Sequence, residues 1–442
     1  MASKNVVQKI VHLPLEKLDR CSSCEKTSDL RLCSKCGERV YCGRECQVKD
    51  WPQHKRVCGQ TDRISLQSFY PFLALLAELG RYHEDRPINR AITHEIINSP
   101  NPETPAMALE DGAFAQLVLL GNPVNPPDFA TARWWPTAHT QRIRQKLQSR
   151  FLREGNLLSL VMSISIALLS EMYSTTYVSK EASPDGTAQR RVRLSYRSSP
   201  IADFGIVKGI VDVKDQDRFA YYSVPDNNFW MGDNPNEHYW LYFRTVRGEE
   251  VTLDVGMFTY NMCLQNPSEP YRHWRMPPAS QMRWAPAVFS ERELQHSAPS
   301  LFLKEHNRAS VLRDVALQDA IRNSADEFGD KDCRAIRRFM TRLAGKEIEW
   351  DETFFTFKLS MMNMDYLKDT LVNRAWTKWP EYPSIYVDED PGELDHMPVD
   401  AAMDDWFDSA KKWNKKYRKE KISRDDLIDA FRAYKRRGVS TT

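Results

Sequence analysis

Cysteine is nearly missing from most of this chain. After Cys58 only Cys263 and Cys333 remain, and the other seven of nine lie between residues 21 and 58. A disulfide framework running through the chain is thereby excluded, and the composition suits a reducing compartment. Charge of one sign is missing too. The 62 Lys and Arg against 60 Asp and Glu leave a net charge of +2, so no global field points to nucleic acid. Long apolar runs are absent. The longest, about Leu157 to Leu169, is interrupted by serines and too short to span a bilayer, so it reads as a buried helix. There is no signal peptide, no repeat at a fixed period and no long low-complexity segment. The expectation is an intracellular protein of nucleus or cytoplasm, without membrane or nucleic-acid partners. Hydrophobic residues at 41% suffice for a real core, and 442 residues leave room for two or three domains.

What is present is concentrated between Cys21 and Cys58. The spacing is C-x2-C-x8-C-x2-C-x5-C-x3-C-x7-H-x3-C, with Cys21, Cys24, Cys33, Cys36, Cys42, Cys46, His54 and Cys58 as its members. Zinc takes four thiolate or imidazole ligands in a tetrahedral shell, so eight ligands fill two closed sites and leave no position for water or substrate. That is structural rather than catalytic zinc. A Cys-rich secreted module stapled by disulfides is the competing possibility, and the cysteine-poor remainder argues against it. So short a segment cannot bury enough apolar surface to offset its chain entropy, and two metal ions supply that folding free energy directly. Short helical turns are expected over Arg44–Trp51 and Pro52–Val57.

The residues between the ligands narrow the chemistry further. Tyr41-Cys42, Cys46-Gln47, Asp50-Trp51 and His54-Lys55 form the pattern YC-x3-CQ-x2-DW-x2-HK-x2-C. This strongly resembles the MYND zinc finger at all eight ligand positions. The resemblance implies a cross-brace, with one Zn2+ on Cys21, Cys24, Cys42 and Cys46 and the other on Cys33, Cys36, His54 and Cys58. It also implies a protein-interaction module for Pro-rich segments, with Gln47 and Trp51 lining the peptide groove. Such peptides are already extended and lose little entropy on docking against aromatic side chains. A serine often follows the Tyr-Cys pair in that family, and here the place is Gly43.

The expected fold class is α+β. A lead (residues 1–20) precedes the finger (21–58), a mixed α/β region (64–290) and a mainly helical C-terminal region (300–442). Val7, Ile10, Val11 and Leu13 of the lead are apolar enough to pack on the finger. A helix is expected from near Pro71 to Gly80, a strand over Ala115–Leu120, and a helix over Arg142–Arg150 with its basic residues outward. Leu157–Met172 is the most apolar helix, expected at the centre of the core. Strands follow at Thr175–Val178 and Ile206–Val213, with exposed loops at Lys180–Arg190 and Asp226–Asn236. His238–Phe243 and Val251–Val255 form a hairpin about Arg247-Gly248. Pro277–Pro286 reads as a connection. From Leu301 the periodicity turns helical, with faces at Val311, Leu312, Val315, Ile321 and Phe328 and at Ile336, Phe339, Met340 and Leu343. Asp388–Asp395 is an acidic loop. Ser423 with Asp426 starts a last helix that ends near Gly438. The segment Ser68–Gly80 with the hairpin resembles large fungal MYND-finger proteins, and that resemblance brings no activity with it.

Three further functions compete with a binding module. A lysine methyltransferase with an inserted MYND finger would need a SET segment ahead of Cys21 and an Asn-His-Ser-Cys-type motif; 20 residues precede Cys21 and no such run occurs. The hairpin also resembles that of transglutaminases and arylamine acetyltransferases, in which an Asp orients a His that activates a thiol. Here the pair would be His238 and Asp254, and the thiol would lie in REGNLLSLVMSISIALL, which has no cysteine; Ser159 is the nearest hydroxyl. Such a degenerate enzyme domain is the alternative to a non-enzymatic protein, which is the expectation. The basic run Lys411, Lys412, Lys415, Lys416, Arg418, Lys419 and Lys421, with Trp413 and Tyr417, could meet phosphates, but a solvated helix face balanced by nearby acids is favoured.

Overall fold

The structure is a computed structural model. It describes residues 9–11, 13–15, 19–55, 58–59, 61–102, 104–109, 114–125, 130–176, 191–213, 218–277, 282–291, 301–323, 329–388 and scattered positions from 409 to 433. The expected loops at Lys180–Arg190 and, beyond Asp388, the acidic stretch to Asp395 lie outside those residues, as do Phe328, Lys411, Arg418 and the chain end at Gly438.

The strands that matter are β1 (Lys9–Val11), β2 (Thr61–Ser65), β3 (Phe114–Pro123), β4 (Ser174–Thr176), β5 (Arg191–Tyr196), β6 (Ser199–Val213), β7 (Phe219–Ser223), β8 (Asn228–Met231), β9 (His238–Thr245), β10 (Glu250–Asp254), β11 (Val288–Glu291) and β12 (Leu301–Ser310). The helices are α1 (Arg44–His54), α2 (Leu66–Arg81), α3 (Gln141–Arg153), α4 (Leu157–Ala167), α5 (Val315–Asn323), α6 (Asp330–Ala344) and α7 (Trp350–Val372). The fold is α+β.

The main sheet runs β11-β10-β9-β6-β5-β2, and β12 also pairs with β6. β6 is its spine. Its residues Ile201–Gly209 pair with β9, and Gly205–Val213 pair with β12 on its other edge. A smaller sheet places β7 between β8 and β3, with the short strand His94–Ile96 beyond β3. α4 lies buried along its whole length from Leu158, between α2, α7 and the main sheet. Two of its three serines return to the helix's own carbonyls, Ser163 Oγ to Leu160 O and Ser165 Oγ to Val161 O, both at 2.8 Å, so these polar atoms are satisfied inside an apolar core. α4 runs on into one π-helical turn, Leu168–Met172.

Several expectations change. α2 begins at Leu66, not near Pro71, and Pro71 sits inside it. Losing one backbone bond at Pro71 is outweighed by burial of nearly every side chain from Phe69 to Leu79. Arg142 of α3 is exposed as expected, but Lys146, Arg150 and Arg153 turn inward. Arg153 Nη2 reaches Glu78 Oε1 at 2.5 Å, Arg81 Nη1 reaches Glu78 Oε2 at 2.9 Å, and all three are buried. Arg150 lies 4.2 Å over the Phe219 ring. The 226–236 loop contains β8, whose Trp230 stacks on Tyr221 at 5.5 Å. Leu301–Ser310 is a strand rather than helix, because its backbone completes the edge of β6 that β9 leaves open. Of the lead's described residues, Lys9–Val11 form β1, which pairs with β4 of the body, and Val11 packs on the main core rather than on the finger; Val7 lies outside the described residues. Among the described residues no single helix is long and apolar enough to cross a membrane; α3 with α4 and its π turn is a pair bent by 66°.

Candidate metal centre and cavity

Of the two knuckles of residues 21–58, Cys21–Cys24 is a turn ahead of a two-stranded hairpin, Arg31–Leu32 with Val40–Tyr41, and Cys33–Cys36 is a turn inside the loop that joins its strands. Behind the hairpin, α1 brings Cys46 and His54 to the same small core. It is one continuous helix through Pro52 where two turns were expected, and residues 56–57 of the second turn lie outside the described set. Tyr41 fixes the hairpin to the helix through its hydroxyl, which donates to Asp50 Oδ2 at 2.6 Å.

The eight ligand atoms fall into two groups, each within 4.8 Å: Cys21, Cys24, Cys42, Cys46, and Cys33, Cys36, His54, Cys58. Within them Cys24 and Cys42 Sγ are 3.5 Å apart, Cys42 and Cys46 3.6 Å, and Cys33 and Cys58 3.8 Å. His54 Nε2 lies 3.4 Å from Cys33 Sγ and 3.5 Å from Cys36 Sγ. A tetrahedron with Zn–S near 2.3 Å and Zn–N near 2.0 Å has edges of about 3.8 Å between sulfurs and about 3.6 Å between sulfur and nitrogen. Disulfide sulfurs would stand about 2.0 Å apart, and all nine cysteines are free. Two zinc ions fit. Burial pushes the Cys36 thiol up to about 12, so a thiolate there needs a cation beside it. Among the described residues the buried Nδ1 of His54 has no hydrogen-bond partner, and none of them supplies the second partner that usually sets the tautomer of a metal-bound histidine.

Gln47 and Trp51 sit one turn apart on α1 and face differently. Gln47 Nε2 points to Cys33 Sγ at 3.8 Å, where it supports the sulfur's charge. Trp51 is 41% exposed, with its ring edge-on to His54 at 5.9 Å. Val48, exposed and three residues before Trp51, extends the same apolar face. Its helical spacing from Trp51 was the signal that could have singled it out. Gly43 precedes α1 in extended conformation, and a Cβ added there meets nothing within 4 Å.

The finger is fastened to the body at β2. Arg63 Nη2 donates to Cys36 O at 2.7 Å and to Glu38 Oε1 at 3.3 Å, and Thr61 Oγ1 donates to Glu38 Oε1 at 3.1 Å.

A family model described as the MYND finger matches residues 21–58. This stretch is a MYND finger. The chain is 46% identical over 41 residues to the zinc finger MYND domain-containing protein 10 homolog of Drosophila melanogaster, covering 9% of each chain. It is 33% identical over 67 residues to protein CBFA2T2 of Xenopus laevis, 15% of this chain and 11% of that one. It is 40% identical over 45 residues to the histone-lysine N-methyltransferase ASHR1 of Arabidopsis thaliana, 10% of this chain and 9% of that one. The chain spans about a tenth of the length of these curated relatives. No solved structure matches the chain significantly. MYND fingers are protein-interaction modules, and both closed zinc sites suit that role.

In the body, His238 at the start of β9 and Asp254 at the end of β10 meet. Nε2 of the ring and Oδ2 of the carboxylate are 2.6 Å apart, both buried. Gly256 makes room, since a Cβ there would fall 2.7 Å from the His238 ring. His238 of the pair lines a cavity of about 560 Å³ at the N-terminal end of α4. Gly155 and Asn156 enter that end in left-handed conformation, with φ of 88° and 59°. Glu154 accepts from Tyr221 Oη and Asn89 Nδ2, both at 2.6 Å, and from Asp233 N at 3.0 Å. Gly232 admits it, because a Cβ there would stand 2.1 Å from Glu154 Oε1. Burial, and then the charge of Asp233, raises the Glu154 carboxyl to about 7. Burial raises Asp233 and Glu352 as well. The cavity lining contains no cysteine or serine. Ser159 is fully buried, and its Oγ lies 3.4 Å from Glu352 Oε1.

In the basic tail, Lys412, Lys415, Lys416, Lys419 and Lys421 are exposed, and Tyr417 is covered by Arg197 at 4.3 Å.

Proposed function

We propose that this chain is a non-enzymatic adaptor whose MYND finger captures a Pro-rich segment of a partner protein. The observation that carries this is the outward Trp51 ring beside His54. A rigid aromatic face costs little entropy to present, and an extended Pro-rich segment costs little to dock. Val48 lengthens the platform, and Gln47 acts from behind it on Cys33. The test is Trp51→Ala, read by zinc content and by anisotropy of labelled Pro-rich peptides. Two zincs should remain while affinity falls about tenfold, the loss of one well-packed aromatic anchor. A folded variant with undiminished affinity removes Trp51 from the groove.

The second reading is the degenerate thiol-enzyme frame, favoured by the His238–Asp254 distance of 2.6 Å at a cavity. We place no acyl transfer there, because the lining offers His238 no cysteine thiol or serine hydroxyl to activate. Covalent labelling by an ester or amide probe that depends on His238 would reinstate it.

A further inference from the structure

We propose that the cavity beside His238 is a binding site for a small organic cation, a primary ammonium or guanidinium on a short apolar stem. Three lining side chains, His238, Tyr260 and Asp233, keep an acceptor position that no described residue fills. Asp254 holds His238 Nε2, so in the neutral ring that nitrogen carries the hydrogen and Nδ1 presents a lone pair. Nδ1 has no hydrogen-bond partner among the described residues, although the side chain is only 2% exposed. The hydroxyl of Tyr260, also 2% exposed, has none either; its ring lies edge-on to His238 at 5.5 Å. Asp233 accepts from Gly155 N through Oδ2 at 2.8 Å, which leaves Oδ1. Acceptors in a cavity wall that no protein donor fills favour a ligand that brings hydrogens. Ammonium brings three and guanidinium five.

The charges agree. Four acids line the cavity, Glu154, Asp233, Glu237 and Glu352, against Arg90 and Lys346. Lys346 is held by Glu237 at 2.8 Å, and Arg90 pairs with Asp226 outside the lining. The remaining acids thus face the cavity without a paired base of the lining. Their carboxyls are raised by burial, and an entering cation restores the charged form. Ile88, Leu157 and Ile348 supply an apolar wall for the stem. Among the described residues, the groups spaced to hold a metal ion are the two in the finger, so an organic cation suits this space better than an inorganic one. A volume of about 560 Å³ is that of a small-molecule site.

The experiment is calorimetric titration of the full-length, zinc-loaded protein with n-butylammonium, agmatine and Nα-acetyl-lysine methylamide, against n-butanol and butyrate. The first two probes read a free amine or guanidine, and the third reads the side chain of a peptide. Saturable binding of at least one cation is expected, with butanol and butyrate weaker by about tenfold or more, the scale of one charge-assisted hydrogen bond. Asp233→Asn should weaken the cation about tenfold and Tyr260→Phe several-fold. If Asp233→Asn does not fold, Tyr260→Phe and the wild-type ratio of butylammonium to butanol decide. Equal binding of the neutral or anionic probes, no saturation by any cation, or folded variants with unchanged affinity would overturn the assignment.

Discussion

The buried cluster of the finger is Cys21, Cys33, Cys36, Cys58 and Tyr41, so four of its five members are metal ligands. The main cluster of the body runs from Ile64 to Leu367 and is almost wholly aliphatic and aromatic. One region is held by coordination, the other by removal of apolar surface from water. A residue spacing can encode the first, because ligand chemistry is local. The second depends on which distant segments meet.

The largest expected effect breaks the finger alone. Chelation should unfold residues 21–58, since each structural zinc supplies on the order of 10 kcal/mol, while α2, α4 and the main sheet stay protected from hydrogen exchange. His54→Ala should lower zinc content from two per chain towards one. Collapse of the whole chain on chelation would show that the two regions are not separately held. The converse variant is Glu78→Gln. It leaves Arg81 and Arg153 buried without their carboxylate, which should cost the body about 3–5 kcal/mol, visible in denaturant titration with both zincs retained.

Smaller still is a pH effect in the body. The Glu154 carboxyl titrates near 7 when folded against an ordinary 4.5. Its contribution is therefore complete below 4.5 and lost as pH rises through about 7. Wild type should lose on the order of 3 kcal/mol between those limits, and Glu154→Gln should flatten the slope while Asp233 still titrates. An unchanged slope would assign it elsewhere. The smallest effect belongs to the finger again. Gly43→Ser has open space for its side chain and should gain a few tenths of a kcal/mol as a helix cap, measured as a slight rise in zinc affinity.

The two regions were unequally legible for the same reason. The eight metal ligands could be named from spacing, and the structure gathers them into two groups. The His238–Asp254 pair could be named because two strands joined by a tight turn fix their own register. Leu301–Ser310 could not be read as a strand, because LFLKEHNRAS lacks alternation and is held by backbone pairing to β6. The inward turn of Arg153 depends on Glu78, and no local pattern announces a partner so far back in the chain. The cavity escaped for a similar reason, since Glu154, Asp233, His238 and Tyr260 come from separate segments.

β2 is the last strand of the main sheet, paired on one side only, with β5. Its Thr61 and Arg63 side chains hold Glu38 and the carbonyl of the metal ligand Cys36. A chain short of zinc would lose that anchor beside an edge strand open to other copies of itself. Metal supply would then govern whether the protein stays dispersed or clumps, well before its core came apart.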